Sequence, residues 1–356
     1  MMFNTDKLWD KISSDCDAAI IFSMENRRYF TEFPSSDGAL LVYNGKALFF
    51  TDSRYTEAAA KCIGEENVID SVNLYETLKN IFAENSVKKV AVENDKLTLA
   101  EFDSIREKLP EVEFITTSLL ANAIESIRIV KNESETEKIK AAQRIAEEAF
   151  SHMLGFIKPG MTEKEISLEL DFYMLSHGAE AISFETIAVA GKNSSMPHGV
   201  PGDYKIQQGD FLTLDFGATV DGYHSDMTRT ICIGEPSAKQ REVYETVLKA
   251  QNAALAALKD GITGVEADKI ARDIIEEAGY GKYFGHGLGH GVGVEIHEAP
   301  RLSPKAPHTL KEGHVVTVEP GIYLPGEFGV RIEDMAIITK DGSINLTECP
   351  KELIIL

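Results

Sequence analysis

With 356 residues the chain exceeds what one hydrophobic core usually organises, so two domains are expected. Its 36 Lys and Arg stand against 57 Asp and Glu, a formal charge of −21 that argues against sequence-independent binding to nucleic-acid phosphates. Four scattered cysteines (Cys16, Cys62, Cys232, Cys349) form no C-x-x-C pair, which speaks against a disulfide framework or a thiolate zinc site and for a reducing, cytoplasmic compartment.

From Met1 to Asp17 charge alternates with apolar residues, without the apolar stretch of a signal peptide, and no later run approaches the length of a membrane span. Residues 1–125 read as a small α/β domain. Ala39–Tyr43 and Lys46–Phe50 flank Asn44-Gly45, a hairpin signal. Thr51-Asp52-Ser53 supplies N-cap chemistry for a helix over Tyr55–Cys62. Helices are expected around Leu78–Phe82 and Leu99–Leu109, with a strand over Val87–Val92 between them. Nothing in this region gathers His, Asp and Glu as a catalytic site does.

The segment Ala123–Asn132 marks the expected domain boundary, giving domains of 1–125 and 126–356. Ser134-x-x-Glu137 reads as a capping box opening a long amphipathic helix that ends near Lys158-Pro159-Gly160. Thr162-x-x-Glu165 is a second box, and its helix ends at His177-Gly178. This pattern then repeats. Gly160-Met161-Thr162-x-x-Glu165 recurs as Gly261-Ile262-Thr263-x-x-Glu266, and Gly209–Gly217 recurs as Gly313–Gly321. Each half runs helix, capped helix, then a strand carrying a carboxylate before a glycine. Such a duplication places Asp215 and Glu319 in equivalent positions facing a shared centre.

Asp215 ends the strand Phe211–Leu214, and Asp226 precedes the returning strand Thr228–Ile231. Glu319 ends Val315–Val318, and Glu333 lies in Val330–Ile337. Singly, each is a strand-end acid bonding a turn. Together they are four carboxylates in apolar strands with Arg229 and Arg331 as the nearby strand cations, so divalent ions are expected to neutralise the remainder. In Gly285–Gly293 glycine occupies every second position; an extended backbone there leaves one side bare and projects His286 and His290 from the other. His297 and His198 add further imidazoles. His152, His177, His308 and His314 fall in helical, capping or turn contexts and read as structural, while His224 stays open. There is no H-E-x-x-H, G-x-S-x-G or P-loop, so nucleophilic serine or cysteine chemistry has no motif.

The ordered set Asp215, Asp226, His290, Glu319 and Glu333, with His290–Pro300 as its central motif, resembles the metallopeptidases of the pita-bread fold. That family includes methionine aminopeptidase, prolidase and aminopeptidase P, and the likeness covers about 130–356. His286 ahead of His290, and an N-terminal domain with Arg28–Gly38 and Thr51–Tyr55, are similar to the Xaa-Pro enzymes. Creatinase shares both domains but lacks the metal ligands, so its metal-free chemistry is disfavoured. The resemblance implies an α+β pita-bread catalytic domain preceded by a smaller α/β domain. It implies two divalent ions, manganese or cobalt with zinc as the alternative, on those five side chains, Asp226 and Glu333 bridging. It further implies cleavage of the bond preceding a proline in second position. Glu319 handles the proton, His297 and His198 stabilise the oxyanion or protonate the leaving nitrogen, Arg331 orients the carboxylates and His286 helps bind substrate. A homodimer is implied, with Asp37 near the partner's site, and neither nucleic acid nor membrane is a partner. The competing readings are a non-catalytic binding module, which would have lost ligands that this chain keeps, and another aminopeptidase of the same fold.

Overall fold

Two stretches of chain build separate cores in the computed structural model, which describes residues 2–356. The first unit ends at Arg128 and the second begins at Ile129.

In the first unit, β1 (Ala18–Ile21), β2 (Ala39–Tyr43), β3 (Lys46–Thr51), β4 (Val68–Asp70), β5 (Lys89–Val92) and β6 (Glu113–Ile115) form a mixed sheet ordered β4-β3-β2-β1-β5-β6. The expected hairpin pairs Tyr43 with Lys46 across Asn44-Gly45, whose φ angles of 47° and 67° are the left-handed pair a two-residue hairpin needs. Every residue of β1 and β2 is buried, so both faces are covered. Phe82 of α4 (Leu74–Asn85) and Ile105 of α5 (Leu99–Lys108) pack with Ile20 and Leu41. The remaining helices are α1 (Thr5–Ile12), α2 (Met24–Thr31), α3 (Thr56–Ile63) and α6 (Leu119–Arg128), the last filling much of the expected boundary segment. Thr51-Asp52-Ser53 does not cap α3. The Asp52 carboxylate instead accepts the Arg54 amide at 2.9 Å and pairs with its guanidinium, closing a turn before the helix.

The second unit opens with α7 (Glu133–Phe156). Its capping box is Asn132 with Glu135, two residues earlier than Ser134 with Glu137: Asn132 Oδ1 accepts the Glu135 amide at 2.9 Å and Glu135 Oε2 accepts the Asn132 amide at 3.0 Å. The Tyr223 hydroxyl anchors the buried Glu135 from outside the helix, which favours this register, while Glu137 pairs with Lys140 at the surface. Then come α8 (Glu163–Ser176), β7 (Ala181–Ile182), β8 (Ile187–Ala190), β9 (Phe211–Phe216), β10 (Ala218–Val220), β11 (Tyr223–His224) and β12 (Met227–Cys232). The second half supplies α9 (Ala238–Ala257), α10 (Gly264–Glu277), β13 (Gly289–Gly291), β14 (Glu298–Leu302), β15 (Val315–Val318), β16 (Gly321–Leu324), β17 (Phe328–Arg331), β18 (Asp334–Ile338) and β19 (Ser343–Asn345). Both predicted threonine boxes, Thr162 with Glu165 and Thr263 with Glu266, are formed.

The duplication is visible in the sheets and in the cores. One sheet is ordered β12-β9-β8 and its counterpart carries β18-β15-β13. Residues of α7 and α8 bury the first, and α9 and α10 the second, as two distinct apolar clusters. Asp215 lies opposite Thr228 in one ladder, and one step past the Val318–Asp334 pair of the other stand Glu319 and Glu333. Thr228 is thus the counterpart of Glu333, and Arg229 of Asp334. These counterparts meet where the halves join: Thr228 Oγ1 donates to Glu333 Oε2 at 2.7 Å, and Arg229 reaches Asp334 at 2.8 Å.

Candidate active site

Strand ends, rather than helices, carry the acids. β9 and β12 bring Asp215 beside Asp226, while β15 and β18 bring Glu319 beside Glu333. From β13, His290 points its Nε2 at the same space, 3.6 Å from Asp226 Oδ2 and 3.4 Å from Glu319 Oε1. One ligand atom each from Asp226, His290 and Glu333 falls within a 4.8 Å span.

The electrostatics of this cluster call for cations. Burial, then the Asp215 and Glu319 charges, hold Asp226 well above the usual carboxylate range. Burial, then the Asp226, Glu319 and Asp215 charges, do so for Glu333, while burial pushes Glu319 up to about 8 against the lowering effect of Arg331. Burial drops His290 to about 3, so its imidazole is neutral. Its Nδ1 lies 3.1 Å from the Gly291 carbonyl, which fixes the proton there and leaves the Nε2 lone pair facing two carboxylate oxygens. Acceptors face acceptors. Asp215 Oδ1 is buried and has no hydrogen-bond partner. Oxygen-rich donors with one imidazole, at this spacing, fit divalent metal ions.

A single guanidinium ties the acids together. Arg331 Nη2 pairs with Asp215 Oδ2, Nε donates to Thr228 Oγ1 at 3.0 Å, and Nη1 donates to the Tyr323 hydroxyl at 2.8 Å and the Pro197 carbonyl at 3.2 Å. Burial opposes its charge, yet Tyr323, Asp215 and Glu319 hold its pKa well above the ordinary arginine value. Arg229 does not share this task. It lies behind the acids, paired with Asp334 and donating to the carbonyls of Glu333, Cys349 and Pro350, because its position alternates to the far face of β12.

His198, His286 and His297 line the same cavity of about 990 Å³ as the five candidate ligands. The His297 ring stands edge-on to His290 at 4.5 Å, and its pKa is lowered by burial, Arg301 and His198. Its chain neighbour Glu298 is ion-paired with Lys131, just ahead of α7. His286 contacts the Gly287 carbonyl at 2.8 Å and the Tyr323 hydroxyl at 3.0 Å, and burial lowers it to about 4. Only Gly289–Gly291 of the glycine segment is a strand. Its bare side receives backbone: a Cβ on Gly289 would lie 2.1 Å from the Thr317 carbonyl, and one on Gly291 2.1 Å from that of Ala299. His224 contacts Thr219 Oγ1 outside the cavity lining, and His152 pairs with Glu169.

Residues 137–340 match metallopeptidase family M24, and residues 12–130 match the creatinase/prolidase N-terminal domain. The chain belongs to metallopeptidase family M24. It is 39% identical to an Xaa-Pro dipeptidase of Pyrococcus furiosus, over 95% of this chain and 95% of that one. The solved Xaa-Pro dipeptidase from Bacillus anthracis superposes with a TM-score of 0.94 at 43% identity, covering 99% of both chains. The X-Pro aminopeptidase structure from Thermotoga maritima does so with 0.90 at 39%, covering 96% of this chain and 98% of that one. The second unit thus has the pita-bread fold expected of it, preceded by a creatinase/prolidase-type unit.

Four contributors were absent from the sequence reading: Thr228, Thr317, Tyr323 and Arg301. Thr228 and Thr317 bond carboxylates, the latter at 3.3 Å from Glu319 Oε1. Thr228 was recoverable from the repeat as the counterpart of Glu333. Tyr323 sits in an ordinary hairpin pattern, and Arg301 comes opposite His290 only through the pairing of β13 with β14, whose register shifts at the next residue. Neither leaves a sequence signal.

Proposed function

We propose that the chain is a cytoplasmic Xaa-Pro exopeptidase that works with two divalent ions, manganese or cobalt, held by Asp215, Asp226, His290, Glu319 and Glu333. The observation that carries this reading is the convergence of four strand-end carboxylates on a neutral imidazole whose lone pair faces them. When bound, the ions supply Lewis acidity and raise the acidity of water at neutral pH. Glu319 Oε1, oriented by Thr317 Oγ1, holds the proton released by the attacking water. His297 donates to the oxygen that becomes negative, and His198 passes a proton to the departing proline nitrogen. Arg331 keeps Asp215 and the Thr228–Glu333 pair in register, and Tyr323 holds His286 beside the substrate.

Within this class we favour the dipeptidase. Arg301 lines the cavity and, among the described residues, makes no ion pair. A guanidinium there suits the free carboxylate of a dipeptide, which lies one residue past the scissile bond. The deciding assay compares Ala-Pro with Ala-Pro-Ala for the wild type and Arg301→Ala. The variant should lose kcat/KM on the dipeptide by about 10²-fold, the value of a charge-assisted pair, and change little on the tripeptide. Equal losses on both would remove Arg301 as the selector. Faster cleavage of the tripeptide by wild type would make the enzyme an aminopeptidase.

The chain also forms a homodimer in this reading, with the Asp37 region near the partner's site. Leu168, Phe172 and Leu175 make an exposed apolar stripe on one face of α8, consistent with a covered surface. Light scattering should give twice the 39.2 kDa chain mass, and an active monomer would refute it.

A further inference from the structure

We propose that Glu163 is a positioning residue for His198, an inference that rests on His198 acting on substrate. Glu163 is the first residue of α8, where an acidic side chain ordinarily faces solvent near the helix terminus. Here it is 1% exposed. Its Oε1 accepts the Ala190 amide at 2.7 Å and Asn193 Nδ2 at 3.0 Å, and its Oε2 accepts the Gly202 amide at 3.1 Å. Those donors lie on both sides of His198 in the chain. One carboxylate therefore closes the whole 191–201 loop at its base. It serves no amide of its own helix, because Thr162 already caps Glu165.

The repeat shows that this is a departure from the shared plan. Glu163 and Lys164 donate their amides to the Tyr204 and Gly202 carbonyls, just as Gly264 and Val265 donate theirs to His308 and Ala306. The counterpart of Glu163 is thus Gly264. There no side chain fits, since a Cβ would lie 2.2 Å from the Arg301 carbonyl. In the second half the returning chain packs directly against the helix start. In the first half a carboxylate fills that gap, and the loop it holds is the one that carries His198.

The upper part of the loop is tied into the catalytic cluster. Ser194 Oγ accepts the Gly329 amide at 2.9 Å, and the Pro197 carbonyl accepts Arg331 Nη1. Gly199 packs on Val189, where a Cβ would come within 2.9 Å of a methyl. Glu163 fixes the base of the loop and Arg331 holds the Pro197 carbonyl, so the backbone that carries His198 is anchored on both sides of it. A glutamine at 163 keeps one acceptor but turns an NH2 toward an amide donor, releasing part of that base.

The test is a double-mutant cycle between Glu163→Gln and His198→Ala, read by kcat on Ala-Pro, by divalent-ion content and by amide exchange over residues 191–201. Glu163→Gln should keep its metal, speed exchange in the loop and lower kcat on the order of 10-fold, as small misplacements of a catalytic group do. The double variant should be no slower than His198→Ala alone. Multiplied losses, or unchanged exchange in Glu163→Gln, would overturn the proposal. Full kcat in His198→Ala would refute the role of His198 itself; exchange and the imidazole 15N shifts then decide whether Glu163 places that ring. Should Glu163→Gln not fold, Asn193→Ala removes one donor while leaving the carboxylate buried, and the same pattern is expected in milder form.

Discussion

His297 touches His290 edge-on yet belongs to no carboxylate pair, and that separates two kinds of loss. Burial, then its neighbours Arg301 and His198, favour the neutral ring, and a neutral imidazole donates one N–H. His297→Ala should lower kcat by about 10²–10³, the cost of one oxyanion donor, with ion content unchanged. Asp226→Ala should lose metal and activity together, because it strips a buried acid from the centre of the cluster. Both are read by metal analysis beside steady-state kinetics. A His297→Ala enzyme that keeps its kcat would send the search for oxyanion stabilisation elsewhere. The acids themselves could be found in the sequence because buried strand-end carboxylates are rare enough to need a reason. Their supporting hydroxyls could not, since threonine in a strand is ordinary; Thr228 and Thr317 gain meaning only from the register that faces them toward Glu333 and Glu319.

The glycines around His290 show how a strand meets a demand that its residue pattern only half reveals. Alternation predicted one bare side, and the structure fills it with the backbones of β14 and β15 rather than leaving it open. Gly289→Ala should therefore drive a methyl into the Thr317 carbonyl, spreading β13 from β15 and displacing both His290 and Glu319, whose amide donates to Leu288. We expect a loss of about 1–3 kcal/mol in stability, together with weaker metal uptake. Gly285→Ala has nothing within 4 Å and should do neither, so denaturant melts and ion titration of the pair check the claim. Periodicity and capping boxes located the helices of the second unit because local chemistry sets them, as at Thr162 and Thr263. They misplaced the start of α7, where two boxes overlap and the winner, Asn132 with Glu135, is chosen by a distant tyrosine. They also credited Thr51–Ser53 with a cap, because an Asx turn and an N-cap use the same residues.

Metal removal should be felt by one part of the molecule and not the other. The acids lie within the second unit, between its two apolar clusters, while the first unit packs around its own sheet. Without cations, crowded buried carboxylates must either take up protons or repel, and each costs the folded second unit stability. Ions that bind only the folded form add about 4 kcal/mol at a thousandfold excess over Kd. The chain has one tryptophan, and Trp9 sits in α1 of the first unit, so its fluorescence follows that unit alone. Thermal melts with and without chelator should then leave the fluorescence midpoint in place. The far-ultraviolet signal, to which the larger second unit contributes most, should melt earlier in the chelated sample, and added manganese should restore it. A chelator-insensitive melt by both probes would take structural metal out of this site. A fluorescence midpoint that falls in step with the far-ultraviolet one would mean instead that the two cores unfold as one, and that the stability supplied by the ions reaches residues 2–128.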